Sequence, residues 1–164
     1  MGETFKVRVE EIRFDAAHFA TFGGSCEPLH GHSYQVNAEA EGELTADSWV
    51  VDFTRLKGLV RELCKQLDHR FLLQLDSRRL EIESQEASWS IRTPNGACYV
   101  FPKQDVAALP IDNTTAERLS EWFTARIWRE LSEKGAGNLR SLTVDVYEGP
   151  GQCASYRMER LPLD

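Results

Sequence analysis

No stretch of this chain approaches the roughly 18 consecutive apolar residues that a membrane-spanning helix requires, so no span and no membrane partner are expected. Basic residues are in the minority: 19 Lys and Arg stand against 26 Asp and Glu, a formal net charge of −7. A nonspecific nucleic-acid binder needs a basic face, so that class is excluded, while a local basic pocket for a phosphorylated small molecule stays open. The stretch Met1-Gly-Glu-Thr-Phe-Lys6 lacks the apolar core of an export signal, and its sixth residue does not fit a myristoylation signal. Cysteine is sparse: Cys26, Cys64, Cys98 and Cys153 are widely spread, with no Cys-x-x-Cys. Without an export signal, reduced thiols in the cytoplasm are expected. There is no internal repeat and no strand-linked Gly-x-Gly-x-x-Gly, so no nicotinamide site is expected. What remains is the composition of an ordinary soluble globule, 41% hydrophobic and 27% charged over 164 residues, long enough for one domain with a real core.

Histidine is scarce too, and its placement is informative. Three of the four histidines fall between Asp15 and Tyr34. His30 and His32 are two apart, so in a strand both imidazoles share one face, and Gly31 between them crowds nothing opposite. His18 ends an alternating run twelve residues earlier, across a glycine-containing loop. Two adjacent antiparallel strands would bring all three rings to one point. Three neutral imidazoles with an open fourth position form the ligand set of a catalytic zinc, whereas closed structural sites use four protein ligands. An isolated His-x-His pair usually binds nothing; the third ring and the nearby thiol raise the odds. Cys26 is either a fourth ligand that closes the site or a base or nucleophile beside the ion.

The rest of the chain reads as follows. Phe5 to Phe14 alternates for most of its length, and His32 to Glu43 is its partner, with Tyr34, Val36, Ala38 and Ala40 on the apolar face. Trp49–Val51 finishes a short strand. Asp52 caps a helix to about Leu67, with Phe53, Leu56, Val60, Leu63 and Leu67 on its stripe and Cys64 a buried thiol beside it. Asp68-His69 ends that helix, either as a histidine favoured by the helix dipole or as a carboxylate orienting a proton-transferring imidazole. Residues 77–106 read as an inserted β-ribbon or small meander, turning at Pro94-Asn-Gly96, with Cys98 structural or at the solvent edge. Thr114 and Glu117 form a capping box for a helix to about Lys134, which buries Leu119, Trp122, Phe123, Ile127 and Leu131. Two more strands follow, Leu139–Tyr147 and Cys153–Met158. The class is α+β: a four-stranded antiparallel sheet with two helices on one face, plus the inserted ribbon.

The elements Phe14-x-Ala-Ala-His18, Cys26-x-x-x-His30-Gly-His32-x-Tyr34, Val51-Asp-Phe53, Leu67-Asp68-His69, Asn113-Thr-Thr-Ala-Glu117 and Tyr147-Glu148-Gly resemble, in order and spacing, the 6-pyruvoyltetrahydropterin synthase / 6-carboxytetrahydropterin synthase family. The likeness covers most of the chain except roughly residues 76–112. It implies the tunnelling fold in a single domain over 1–164, assembled by sheet edges into a trimer or hexamer with sites at subunit interfaces. It implies Zn2+ on His18, His30 and His32, Cys26 as the proton acceptor, and Asp68 and His69 as a proton relay from an adjacent subunit. It also implies Glu148 as the pterin anchor and Thr115 at the pterin pocket, although sequence alone favours an exposed strand-end carboxylate for Glu148 and also allows Thr114 and Thr115 as plain helix caps.

From the residues alone, a three-histidine ion, a thiolate and an imidazole suit proton movement beside oxygenated carbons: isomerisation, elimination, carbon-carbon cleavage or hydrolysis. The resemblance supplies 7,8-dihydroneopterin triphosphate as substrate. The Cys26-x-x-x-His30 spacer and Gly151-Gln-Cys-Ala-Ser-Tyr156 are similar to the carboxy-forming branch of queuosine biosynthesis, implying 6-carboxytetrahydropterin, acetaldehyde and triphosphate as products. The alternatives are the pyruvoyl-forming sister enzyme, a non-catalytic pterin-binding module, and a structural zinc protein closed by Cys26.

Overall fold

The computed structural model describes residues 2–160, so Met1, where the reading for export signals begins, lies outside it. Strand β1 (Phe5–His18) pairs antiparallel with β4 (His30–Gly42), in register from Phe5 opposite Gly42 to His18 opposite His30. The apolar parity changes within β1: Val9 is buried, and after it Ile12, Phe14, Ala16 and His18. The cause is a β-bulge. The register shifts between Val9 and Ile12, and Glu11 takes φ 60° while its N–H donates to Asn37 Oδ1 at 3.0 Å. One extra residue transfers every downstream side chain to the opposite face. Without the bulge, His18 would point away from the core.

Strand β10 (Leu139–Gly149) flanks β4, and β11 (Gln152–Glu159) flanks β10. On the other side, β5 (Arg70–Gln74) joins β1 and β9 (Val106–Leu109) joins β5, both in parallel. The sheet therefore has six strands, in the order β11-β10-β4-β1-β5-β9, and not four. The two extra strands are short apolar runs buried without alternation, which gives periodicity nothing to register. Residues Trp49–Val51 form no strand, although Val50 and Val51 are buried.

Helix α1 (Phe53–Leu67) starts where expected, with Asp52 accepting the Thr54 N–H at 2.8 Å. Its buried stripe is Leu56, Val60, Leu63, Cys64 and Leu67; Phe53, expected on that stripe, is instead 54% exposed at the first position of the helix. Helix α2 (Ala116–Glu133) is capped by Thr115, whose Oγ1 accepts from the Arg118 N–H, and not by Thr114. Thr114 is fully buried and its hydroxyl is engaged elsewhere. Both helices and one face of the sheet share a single core that includes Phe14, Tyr34, Leu56, Phe123, Ile127 and Val144. Each such side chain contributes about 1.5–3 kcal/mol relative to exposure.

Residues 81–102 build a separate three-stranded antiparallel sheet, β6 (Glu81–Ser84), β7 (Ser88–Arg92) and β8 (Cys98–Pro102). It covers a second apolar cluster containing Phe19, Cys26, Phe71, Leu73, Leu80, Ile91 and Val106. The loop between β1 and β4 folds into a hairpin, β2 (Thr21–Phe22) and β3 (Ser25–Cys26). Its turn places Gly23 and Gly24 at φ 53° and 85°, where a two-residue hairpin turn of the primed type favours glycine.

Candidate active site

The bulge and the strand register bring the three imidazoles together at the end of the core face where α2 begins. His18 and His30 are directly opposite in the ladder, and His32 lies one pleat further along. Ring centroids are 4.7 Å apart for His18–His30, 5.1 Å for His18–His32 and 4.8 Å for His30–His32. One ligand atom from each lies within 4.8 Å of the others. Tyr34, stacked on Phe14 at 4.7 Å, forms the floor beneath them.

The hydrogen bonds fix which nitrogen of two of the rings faces inward. His18 Nδ1–H donates to the Thr114 carbonyl at 3.0 Å, and His30 Nδ1–H donates to the Pro28 carbonyl at 2.8 Å. A carbonyl only accepts, so each Nε2 carries a lone pair. His18 Nε2 is buried with no partner. His30 Nε2 stands 3.1 Å from His32 Nε2, close to the roughly 3.3 Å that separates two nitrogens on one tetrahedral zinc. An orphaned buried nitrogen and converging lone pairs are costly unless a cation or a proton lies between them. Backbone carbonyls holding the outer nitrogens are the usual second layer of a histidine metal site. The donor set fits a zinc ion on His18, His30 and His32.

Electrostatics agree with neutral rings. Burial, reinforced by the other two imidazoles, pulls His18 down to about 4. Burial and His30 also hold His32 below the usual histidine range. Thr114, which the capping pattern assigned to α2, is the group that orients His18. Its hydroxyl donates to the Phe19 carbonyl at 3.1 Å, with Gln74 Oε1 at 3.3 Å.

A cavity of about 430 Å3 opens beside His18 and His30, lined also by Glu27, Thr115, Glu117, Glu148 and Cys153. Glu148 and Thr115 therefore lie where the expectation put them, in one cavity with the histidines. Burial first, then the nearby Glu27 and Glu117, raises the Glu148 carboxyl above the ordinary range. Cys26 does not line this cavity. It is 6% exposed, packed in the second apolar cluster, and burial with Glu27 nearby raises its thiol further above the ordinary range. Its neighbour Glu27 faces the cavity instead, with one carboxylate oxygen accepting the Ala20 N–H at 2.9 Å. Sequence reasoning missed Glu27; the signal available was a carboxylate beside the thiol in the loop that links the ligand strands.

Asp68 and His69 are not part of this cavity. His69 lines, with Asp15 and His32, an open depression, and the Asp68 carboxylate lies within 4.8 Å of Asp15 and His69 beside it. Asp68 Oδ2 holds His69 Nδ1 at 2.9 Å, and the Asp15 N–H donates to Asp68 Oδ1 at 2.9 Å. That backbone bond is the main reason the Asp68 carboxyl lies below its ordinary range. His69 itself is 78% exposed and takes φ 57°.

Fold and site together define an enzyme of the tetrahydropterin synthase type. The profile of the 6-pyruvoyl tetrahydropterin synthase family matches residues 6–159, and the chain belongs to that family. A putative 6-carboxy-5,6,7,8-tetrahydropterin synthase from Methanocaldococcus jannaschii is 35% identical over 147 residues, covering 89% of this chain and 90% of its own. The 6-carboxy-5,6,7,8-tetrahydropterin synthase of Haemophilus influenzae is 34% identical over 159 residues, covering 93% and 99%. The crystal structure of 6-pyruvoyl tetrahydropterin synthase from Plasmodium vivax matches with a TM-score of 0.91 at 31% identity, over 96% of this chain and 99% of that one. Two further structures of the Plasmodium vivax enzyme carry alanine or cysteine in place of a glutamate described as a catalytic residue.

Proposed function

We propose that the chain is a zinc-dependent lyase that converts 7,8-dihydroneopterin triphosphate to 6-carboxy-5,6,7,8-tetrahydropterin, acetaldehyde and triphosphate, a step towards queuosine. The observation that carries this reading is the orphaned Nε2 of buried His18, set by Thr114 to face the Nε2 atoms of His30 and His32. A zinc ion held there supplies Lewis acidity to hydroxyl or carbonyl oxygens of the substrate side chain. Glu148 accepts two N–H bonds from the guanidine-like edge of the pterin, a bidentate pairing, and Thr115 lends its hydroxyl to the same cavity. Cys26 and Glu27 are the two candidate proton acceptors. The resting geometry favours the carboxylate, because the thiol is packed among apolar side chains.

Asp68 orients His69 as a second proton-transfer group, and the pair serves the cavity of a neighbouring copy in a homo-oligomer. Its exposure and its separation from this chain's own cavity support that assignment. So does charge: no Lys or Arg lines the cavity among the described residues, and a triphosphate needs cations from beyond it.

The test is metal analysis of the purified protein with product analysis after incubation with 7,8-dihydroneopterin triphosphate. Acetaldehyde release and a pterin bearing a single carboxyl carbon are expected. A product that keeps all three side-chain carbons supports the second reading, the pyruvoyl-forming reaction, which the likeness to the Plasmodium vivax enzyme and the cavity-facing Glu27 favour. Zinc bound with no substrate consumed overturns both and leaves a binding module. Unfolding on chelation of the ion would point instead to a structural zinc protein.

A further inference from the structure

The hairpin between the ligand strands is too short to hold itself; a two-stranded pair is marginal without support. Side chains from elsewhere supply that support on both outer edges. On the β2 edge, the Thr21 N–H donates to Asn113 Oδ1 at 3.0 Å and Asn113 Nδ2 donates back to the Thr21 carbonyl at 3.0 Å. On the β3 edge, the Cys26 N–H donates to Asn95 Oδ1 at 2.9 Å, and Asn95 Nδ2 donates to the Cys26 carbonyl at 3.0 Å. Asn95 belongs to the β7–β8 turn, at the tip of the small sheet. That tip is itself fixed: Thr93 and Ala97 pair through their backbones at 2.9 Å, Thr93 Oγ1 accepts the Ala97 N–H at 3.1 Å, and Gly96 takes φ 86°. Behind it, Ile91 is 1% exposed and packs in the same apolar cluster as Cys26.

A residue whose N–H and carbonyl are both gripped, one in each flanking peptide, cannot rotate about the chain axis. Successive side chains of an extended segment point to opposite sides, so fixing the Cys26 peptide decides which of two neighbours faces which way. Here the thiol turns into the apolar cluster and the Glu27 carboxylate turns to the cavity. We propose that Asn95 is a positioning residue: through the Cys26 peptide, the β6–β8 sheet selects the carboxylate rather than the thiol as the group presented to the site. This rests on the catalytic reading above for its consequence, but not for its geometry.

The test uses the full-length zinc-loaded protein and two variants, Asn95→Ala and Asn95→Asp, the second keeping an acceptor for the Cys26 N–H and losing the donor. Iodoacetamide labelling is followed residue by residue by peptide mass mapping, with buried Cys64 and exposed Cys98 as internal references. Labelling of a buried thiol tracks local opening. With two hydrogen bonds removed, Asn95→Ala should label at Cys26 about tenfold faster or more while Cys64 stays protected, and Asn95→Asp should fall between. In the same samples kcat should drop with KM and zinc content little changed, the pattern of a misdirected group rather than a lost binding contact. Unchanged labelling of Cys26 in both variants overturns the proposal. So does a parallel rise at Cys64, which would mean general loosening. If the wild-type protein turns nothing over, the catalytic reading falls, and the labelling ratio still decides the role of Asn95.

Discussion

Acid should unfold the metal-free protein through His18 in a way that can be isolated. Its ring is 2% exposed, its Nδ1–H is committed to Thr114, and its Nε2 has no partner, so a second proton would have to be carried in a buried site beside two other imidazoles. The folded state therefore holds His18 near 4, against 6.5 for the free side chain. The sign follows from linkage. The unfolded chain binds the proton more readily, so the neutral ring's contribution is complete above about pH 6.5 and is lost as pH falls towards about 4. Between about pH 7.5 and about pH 4.5 the loss from this one group comes to about 2.5 kcal/mol. Other carboxyl groups titrate over the same range, so the quantity to measure is a difference. Urea unfolding free energies of the metal-free wild type and of His18→Gln, taken at both pH values, should converge by about that amount as pH falls. Zinc should raise the wild-type midpoint at the higher pH and do nothing at the lower, since protons and the ion compete for the same lone pairs. A wild-type-minus-variant difference that stays flat across the range would refute the buried neutral ring.

Other outcomes follow from the same geometry. Glu27→Gln should cost more activity than Cys26→Ala, with zinc retained in both; the reverse order in kcat would return the base to the thiol. Glu148→Gln should weaken pterin binding by about tenfold or more, the cost of one charged hydrogen-bond pair, measured by titration calorimetry. Because the Glu148 carboxyl titrates above the ordinary range, wild-type binding should fail at a higher pH on acidification than a free carboxylate would allow, and Glu27→Gln should move that failure to lower pH. Gly42→Ala would set a methyl against the Asn138 carbonyl oxygen and 3.1 Å from Leu139 Cα, both backbone, so a loss of about 1–3 kcal/mol in urea unfolding is expected.

The alternating strands, the Asp52 cap and the buried stripe of α2 were legible because each element carries its own period and its own cap. The histidine cluster was legible for the same reason: two rings at strand spacing and a third across one loop constrain each other. Two kinds of feature were hidden. Strands β5 and β9 are apolar runs covered on both faces, and nothing in Phe71-Leu-Leu73 distinguishes a buried strand from a buried turn of helix. The roles of Thr114 and Asn95 are tertiary: each looks like local cap or turn chemistry, and each spends its side chain on a residue far away in sequence. The Thr114-Thr115 pair shows how narrow the margin is. Both offer a hydroxyl ahead of α2, and a shift of one residue separates the helix cap from the residue that sets the tautomer of buried His18.

The site and the core are one surface, and that shapes what the site can do. His18, Phe14 and Ile12 reach the same face only because Glu11 is bulged, and His32 and Tyr34 continue that face on the paired strand. The imidazoles therefore stand on a stacked Phe14–Tyr34 floor that is itself packed against Phe123 of α2. Their geometry is held by the helix-sheet packing, which is the arrangement the proposed metal site needs if it is to keep a coordination position open for substrate. The loop that carries Glu27 is held differently, by asparagine side chains from two separate connections and by the burial of Cys26 in the second apolar cluster. On the proposed reading, imidazoles fixed by the core stand beside a carboxylate whose placement depends on a few hydrogen bonds that single substitutions remove, which makes the proposed proton acceptor the adjustable part of the centre.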